Sequence, residues 1–123
     1  MNRLDQQVAD VLSTHGVLAQ KVPGFQPRQG QSDMAMAVSR TVQDGGQLVV
    51  EAGTGTGKTY AYLVPVLLSG QRALVSTATK ALQDQLFSRD IPRLVEVLGL
   101  PIRVALLKGR SNYLCLHRME QAR

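Results

Sequence analysis

Cysteine is almost missing from this chain, and the one present, Cys115, has no second thiol with which to form an internal disulfide. A reducing cytoplasm is the compartment that suits such a composition. Long apolar runs are missing too: the longest, residues 60–68, is broken by Pro65 and falls short of the roughly 20 apolar residues that cross a bilayer. No membrane segment is expected. The opening Met1-Asn2-Arg3-Leu4-Asp5 is charged and lacks the apolar core of a secretion signal. Acidic residues are few, 9 Asp and Glu against 14 Lys and Arg, and no two of them are adjacent. The net charge of +5 favours a polyanionic partner such as nucleic acid, although small basic domains that bind nothing share it.

With 44% hydrophobic residues, the 123 residues suffice for one small globular core. Residues 3–15 place Leu4, Val8, Val11 and Leu12 at helical spacing, which predicts an amphipathic helix stopped near Gly16. Pro23, Gly24, Pro27 and Gly30 then predict an extended loop over 21–30. A helix follows with Met34, Ala35, Val38 and Val42 on one face, ended by Asp44-Gly45-Gly46. Three short apolar, β-branched runs at 47–51, 72–76 and 102–107 read as strands. Between them, 58–68 (with Pro65 as a kink) and 91–98 (started by Pro92) read as helices, and 77–89 as a loop and then a helix. The order β, α, β, α, α, β joins its strands by crossovers too long for hairpins, so an α/β fold with a parallel sheet covered by helices is expected. No internal repeat or low-complexity tract is present.

The chemistry concentrates in Ala52-Gly53-Thr54-Gly55-Thr56-Gly57-Lys58-Thr59, a P-loop pattern lying between an expected strand and an expected helix. Gly53, Gly55 and Gly57, with Thr54 and Thr56 between them, let the backbone turn tightly enough for successive N–H groups to surround nucleotide phosphates. The positive end of the following helix points the same way. Lys58 would add a full positive charge against those phosphates, and the Thr59 hydroxyl would ligate the Mg²⁺ that bridges them. The strict pattern has Gly where this chain has Ala52. A P-loop alone does not choose among kinases, GTPases, transporters and motors.

Flanking segments narrow that choice. Upstream, Phe25-Gln26-Pro27-Arg28-Gln29-Gly30-Gln31 offers an aromatic ring and glutamines; an amide donates and accepts at once, which suits an adenine edge, and a merely polar loop would use the same residues. Downstream, Ser76-Thr77-Ala78-Thr79-Lys80-Ala81-Leu82-Gln83-Asp84-Gln85-Leu86 puts hydroxyls and amides at a helix start. Such a terminus can hold a DNA phosphate, or Thr79 can serve as an ordinary cap.

Taken in order with Lys108-Gly109-Arg110-Ser111-Asn112-Tyr113-Leu114-Cys115, these segments resemble the start of the XPD-like superfamily 2 helicases, on the bacterial DinG/YoaA branch and nearer its YoaA side. The resemblance covers nearly everything from Phe25 onward. It implies a partial RecA-like P-loop lobe over 25–107, preceded by a helical leader at 1–24 and followed at 108–123 by the start of an iron–sulfur region. It makes Gln31 the adenine-sensing residue, with Gln29 as the alternative if the register is displaced. It assigns Gly55, Gly57, Lys58 and Thr59 to ATP and Mg²⁺, and gives Thr77, Thr79 and Gln83 contacts to the backbone of single-stranded DNA. Lys108 and Arg110 would touch the same strand. Cys115 matches the first of four thiolates around a [4Fe–4S] cluster, where a lone thiol would otherwise be read as simply reduced.

That family also needs an Asp-Glu pair to hold Mg²⁺ and orient water, and a second lobe with an arginine finger; the chain has no adjacent acidic pair. The expectation is therefore the amino-terminal, ATP-binding part of a 5′ to 3′ DNA repair helicase acting on single-stranded and forked DNA. It should have no turnover and no intact cluster by itself. A stand-alone ATP-binding regulatory module is the alternative. A small-molecule kinase is disfavoured because Arg72, Arg89 and Arg93 are too scattered to form a substrate-phosphate site.

Overall fold

The computed structural model describes residues 3–51 and 57–107. Its elements are α1 (Arg3–Val11), α2 (Val17–Lys21), α3 (Gln29–Asp44), α4 (Lys58–Ser69), α5 (Lys80–Gln85), a π-helical turn (Leu86–Asp90) and α6 (Ile91–Leu98). Helix α3 lies along α4, α1 crosses both, and α2 and α4 reach α6. Val8 and Leu12 from the leader meet Leu18, Ala35, Ala61, Leu63, Val64, Leu86 and Leu94 in one core. The amphipathic reading of the leader is thus realised. Gly16 sits so close to the end of α1 that a Cβ there would lie 2.6 Å from the Val11 carbonyl oxygen.

Helix α3 begins earlier than its breakers suggest, at Gln29, so both candidate glutamines belong to its first turn. Its buried stripe is Gln31, Ala35 and Ser39, each one turn from the next. Ser39 on that stripe is satisfied by the leader. Asp5 is 5% exposed, and its Oδ1 accepts hydrogen bonds from Ser39 Oγ (2.6 Å) and Gln43 Nε2 (3.0 Å). Burying a carboxylate is costly unless such donors surround it, so the leader is pinned to α3 by polar as well as apolar contacts.

Helix α4 runs through Pro65 to the left-handed Gly70. The two helices expected over 77–89 and 91–98 form one continuous rod instead, because the π turn joins α5 to α6. Pro92 explains the turn. Its ring crowds the carbonyl four residues back in an α-helix, and the wider π turn relieves that crowding. The rod ends at Gly99, in a left-handed conformation that brings Leu100 N–H to the Val95 carbonyl (3.2 Å).

The expected parallel sheet is the main departure. Among the described residues no strand forms, and the runs 47–51, 72–76 and 102–107 carry no regular secondary structure. Val49 is 96% exposed and Leu107 77%. A helix satisfies its backbone internally, whereas a strand must find its hydrogen-bond partners on a neighbour and its apolar cover on both faces. Here α4 and the π turn cover one side only, and an open cavity of about 600 Å³ lies between Leu63, Leu67, Leu86 and Phe87 and the two later runs. No described helix is long and apolar enough to cross a membrane.

Candidate nucleotide site and its DNA-side helix

The site is built where α3 starts and α4 starts. Gly57 precedes α4 in a left-handed conformation (φ 75°), and its carbonyl receives the first helical bond from Ala61 N–H at 3.1 Å. The terminus has no side-chain cap, which leaves the positive end of α4 suited to an anion. Lys58 is exposed there and Thr59 half-buried beside it. Gly53, Thr54, Gly55 and Thr56 lie outside the described residues.

Gln31 comes up beneath this turn. It is 3% exposed, and its Nε2 donates to the Gly57 carbonyl at 3.2 Å. A Cβ at position 57 would collide with that same Nε2. Glycine is therefore required at 57 twice over, by backbone conformation and by the close approach of Gln31. The other half of the amide matters as much: Gln31 Oε1 is buried and has no hydrogen-bond partner. A buried acceptor left unmet is costly, and here it sits on an amide whose nitrogen already donates to the turn that opens α4. Gln29, in contrast, is exposed and donates to Asp33 Oδ1 at 2.7 Å on its own helix. Of the two candidates, only Gln31 is seated against the turn.

Phe25 and Tyr60 flank the same region, with ring centroids 6.1 Å apart and planes tilted by 39°. One turn of α4 further in, burial raises the pKa of the Tyr62 phenol above its ordinary value. The Asp90 carboxylate adds to that rise, and a hydrogen bond with the Thr59 side chain partly opposes it.

The residues after the second run are arranged as a cap. Thr79 Oγ1 accepts from Leu82 N–H at 3.2 Å, and Thr77 Oγ1 donates to the Thr79 carbonyl at 3.2 Å. Gln83 Nε2 donates to the Leu107 carbonyl at 2.9 Å, which ties the 101–107 segment to α5. Both hydroxyls and the amide thus gather at one helix start, each with an intramolecular role. Lys108, Arg110 and Cys115 lie outside the described residues. No cluster of three or more metal-ligating side chains occurs among those described.

Sequence reasoning missed the brace of Asp5, Ser39 and Gln43 and the buried Asp90 with its donors Arg89 and Gln85. The one-turn spacing of Gln31, Ala35, Ser39 and Gln43 was the available signal for the brace. Nothing local marked Asp90, which is buried only because α6 folds against α4 and α2.

Residues 30–121 match the DEAD/DEAH box helicase family, a span that runs from the Gln31 turn through the P-loop and beyond the capped helix. The chain belongs to that family. Membership implies a RecA-like P-loop fold. Among curated DEAD/DEAH relatives, the ATP-dependent DNA helicase YoaA of Escherichia coli (strain K12) is 55% identical over 114 residues, 93% of this chain and 18% of that protein. YoaA of Haemophilus influenzae is 50% identical over 117 residues, 95% of this chain and 18% of its own length. The ATP-dependent helicase DinG of Mycobacterium tuberculosis is 52% identical over 103 residues, 77% of this chain and 16% of that helicase. The resemblance to the DinG/YoaA branch therefore holds at the level of whole-chain identity. The chain spans less than a fifth of these relatives, 18% of either YoaA.

Proposed function

We propose that this chain is the nucleotide-binding front part of an ATP-dependent DNA helicase. The observation that carries the proposal is the buried Gln31 amide, which spends its donor on Gly57 and holds an unmet acceptor at the P-loop turn. The exocyclic amine of adenine is a donor that would satisfy that acceptor, so the amide favours ATP over a guanine nucleotide, whose corresponding position is a carbonyl.

In this reading Gly53, Thr54, Gly55, Thr56 and Gly57 cradle the phosphates with backbone N–H groups, and Lys58 neutralises their charge. The Thr59 hydroxyl ligates Mg²⁺, which supplies charge stabilisation to the phosphoryl group when bound. Thr77, Thr79 and Gln83 hold the backbone of single-stranded DNA at the start of α5, with Lys108 and Arg110 further along the strand, so binding is salt-dependent and largely indifferent to sequence. The runs at 47–51, 72–76 and 102–107 take up parallel pairing when the rest of a RecA-like sheet is present. Movement from 5′ to 3′, action on forked DNA, a repair role and a cytoplasmic location belong to the same proposal. Cys115 supplies one of the four thiolates a [4Fe–4S] cluster needs; the chain's single cysteine does not fit such a cluster unaided.

Lacking an adjacent Asp-Glu pair, the chain binds ATP without turning it over. Calorimetry with ATP–Mg²⁺ on the wild-type chain and on Lys58→Ala, with a steady-state ATPase assay on the same samples, tests this. Binding that disappears in Lys58→Ala, without turnover, is the expected result. DNA-stimulated turnover by the chain alone would overturn it.

A further inference from the structure

Asp5 belongs to the leader, yet it is bonded to the same face of α3 that carries Gln31. Its Oδ1 accepts from Ser39 Oγ at 2.6 Å and from Gln43 Nε2 at 3.0 Å, and Gln43 Nε2 also reaches Ser39 Oγ at 3.1 Å. Ser39 is fully buried and lies two turns along α3 from Gln31, on one stripe with Ala35. Further along α1, Val8 and Leu12 share a recess with Met36 and Ser32, so α1 leads from the far end of α3 back towards its start. The same helix touches α4. The leader therefore bridges the two helices whose starts meet at Gln31 and Gly57.

The apolar contacts of α1 are not directional: they hold α3 close without choosing its roll about its own axis. Hydrogen bonds are directional, and two donors one turn apart on α3 that converge on one oxygen fix both its roll and its position along the axis. The helix carries that setting from Ser39 to Gln31, along about 12 Å of stiff rod. At Gln31 there is little slack. Its Nε2 donates to the Gly57 carbonyl at 3.2 Å and comes so close that a Cβ at position 57 would collide with it. A small roll of α3 would re-aim both ends of the amide, including the buried Oε1 that has no partner.

We infer that Asp5 is a positioning residue for the nucleotide site: through Ser39 and Gln43 it holds α3 at the roll that aims the Gln31 amide at a purine base. The inference rests on the function proposed above. It makes the leader helix a determinant of base specificity as well as a cover for the core. Lys58 and Thr59 stand on α4 rather than on α3, so the effect falls on discrimination between bases and spares the affinity that all nucleoside triphosphates share.

The test is calorimetric affinity of the chain for ATP–Mg²⁺ and for GTP–Mg²⁺, at a temperature where every variant is folded. The variants are Asp5→Ala, Ser39→Ala, Gln31→Ala, the double variant of Asp5→Ala with Gln31→Ala, and Leu94→Ala. Wild type should prefer ATP by about ten-fold, the factor that one unmade hydrogen bond costs GTP. Asp5→Ala and Ser39→Ala cut the same bond from opposite helices. Each should reduce the preference to about three-fold or less while GTP affinity stays within about two-fold. Adding Asp5→Ala to Gln31→Ala should leave the preference unchanged, because the amide through which Asp5 acts is gone. Leu94→Ala loses buried packing on α6 and lowers Tm without touching the brace, and it should keep the wild-type preference. Equal erosion in Leu94→Ala, or an intact preference in Asp5→Ala and Ser39→Ala, would overturn the inference and leave the proposed function standing. A wild-type chain that binds ATP and GTP alike would instead defeat the adenine reading of Gln31, and the inference with it.

Discussion

Leu63 and Leu74 are the same side chain in two settings: the first, on α4, is 1% exposed, and the second, on the run after it, is 88% exposed. The difference follows the backbone rather than the side chain. Helices α1, α3 and α4 meet their own hydrogen bonds and need only one covered face, so they assemble from neighbours close in sequence. The β-branched runs need strands on either side and cover above and below, and what lies against them among the described residues is a helical layer on one side. The turn that opens α4 rests on the helical part of the chain, and the apolar runs lie beside it without regular structure.

The sharpest way to break this contrast is to truncate both leucines. Leu63→Ala should cost about 2–5 kcal/mol in denaturant unfolding, from lost burial and the cavity left behind. Leu74→Ala should fall within about 0.5 kcal/mol of wild type. Equal losses would show that the runs are packed after all. Asp5→Ala should come next in size, at about 1–3 kcal/mol, because Ser39 and Gln43 would lose a shared buried acceptor. Comparable stability of Asp5→Ala and wild type would mean that the leader is held by Val8 and Leu12 alone.

The smallest effect is on pH. With its pKa raised by burial and by the Asp90 charge, Tyr62 adds stability that is complete below the ordinary tyrosine range near pH 10 and lost as pH rises through its higher folded value. Ultraviolet titration should show one tyrosine ionising late. Tyr62→Phe should remove that late component, and Asp90→Asn should move it towards the ordinary range. A late component that persists in Tyr62→Phe would assign the shift elsewhere.

Much of this was legible in the sequence. The leader's apolar spacing, the start of α4 after Gly57 and the cap at Thr79 rest on local pattern, and the structure places Val8, Leu12, Gly57 and Thr79 accordingly; the preference for Gln31 over Gln29 rests on the family resemblance alone. The expected sheet rests on composition, and no strand forms among the described residues, because pairing depends on what lies beside a run rather than on the run itself. The Asp5 brace was illegible for a similar reason: residues 34 apart meet only after the helices pack. Pro92 was read correctly as a boundary signal, yet its outcome is a wider turn within one rod rather than a break between two.

That wider turn also fixes a phase. An α-helix advances about 100° per residue, so a segment wound with an additional residue per turn resets the angle between whatever precedes it and whatever follows. Leu94 faces the core on one side of Leu86–Asp90 and Gln83 meets Leu107 on the other, and the relative azimuth of the two is set there. Deleting one residue within 86–90 would let the segment rewind as an α-helix with its flanks nearly in phase, since five residues of the wider turn cover about the same rotation as four at about 100° each. Inserting a further residue would instead swing the face bearing Gln83 by up to about 100° against the core. An insertion there should therefore be harder to tolerate than a deletion.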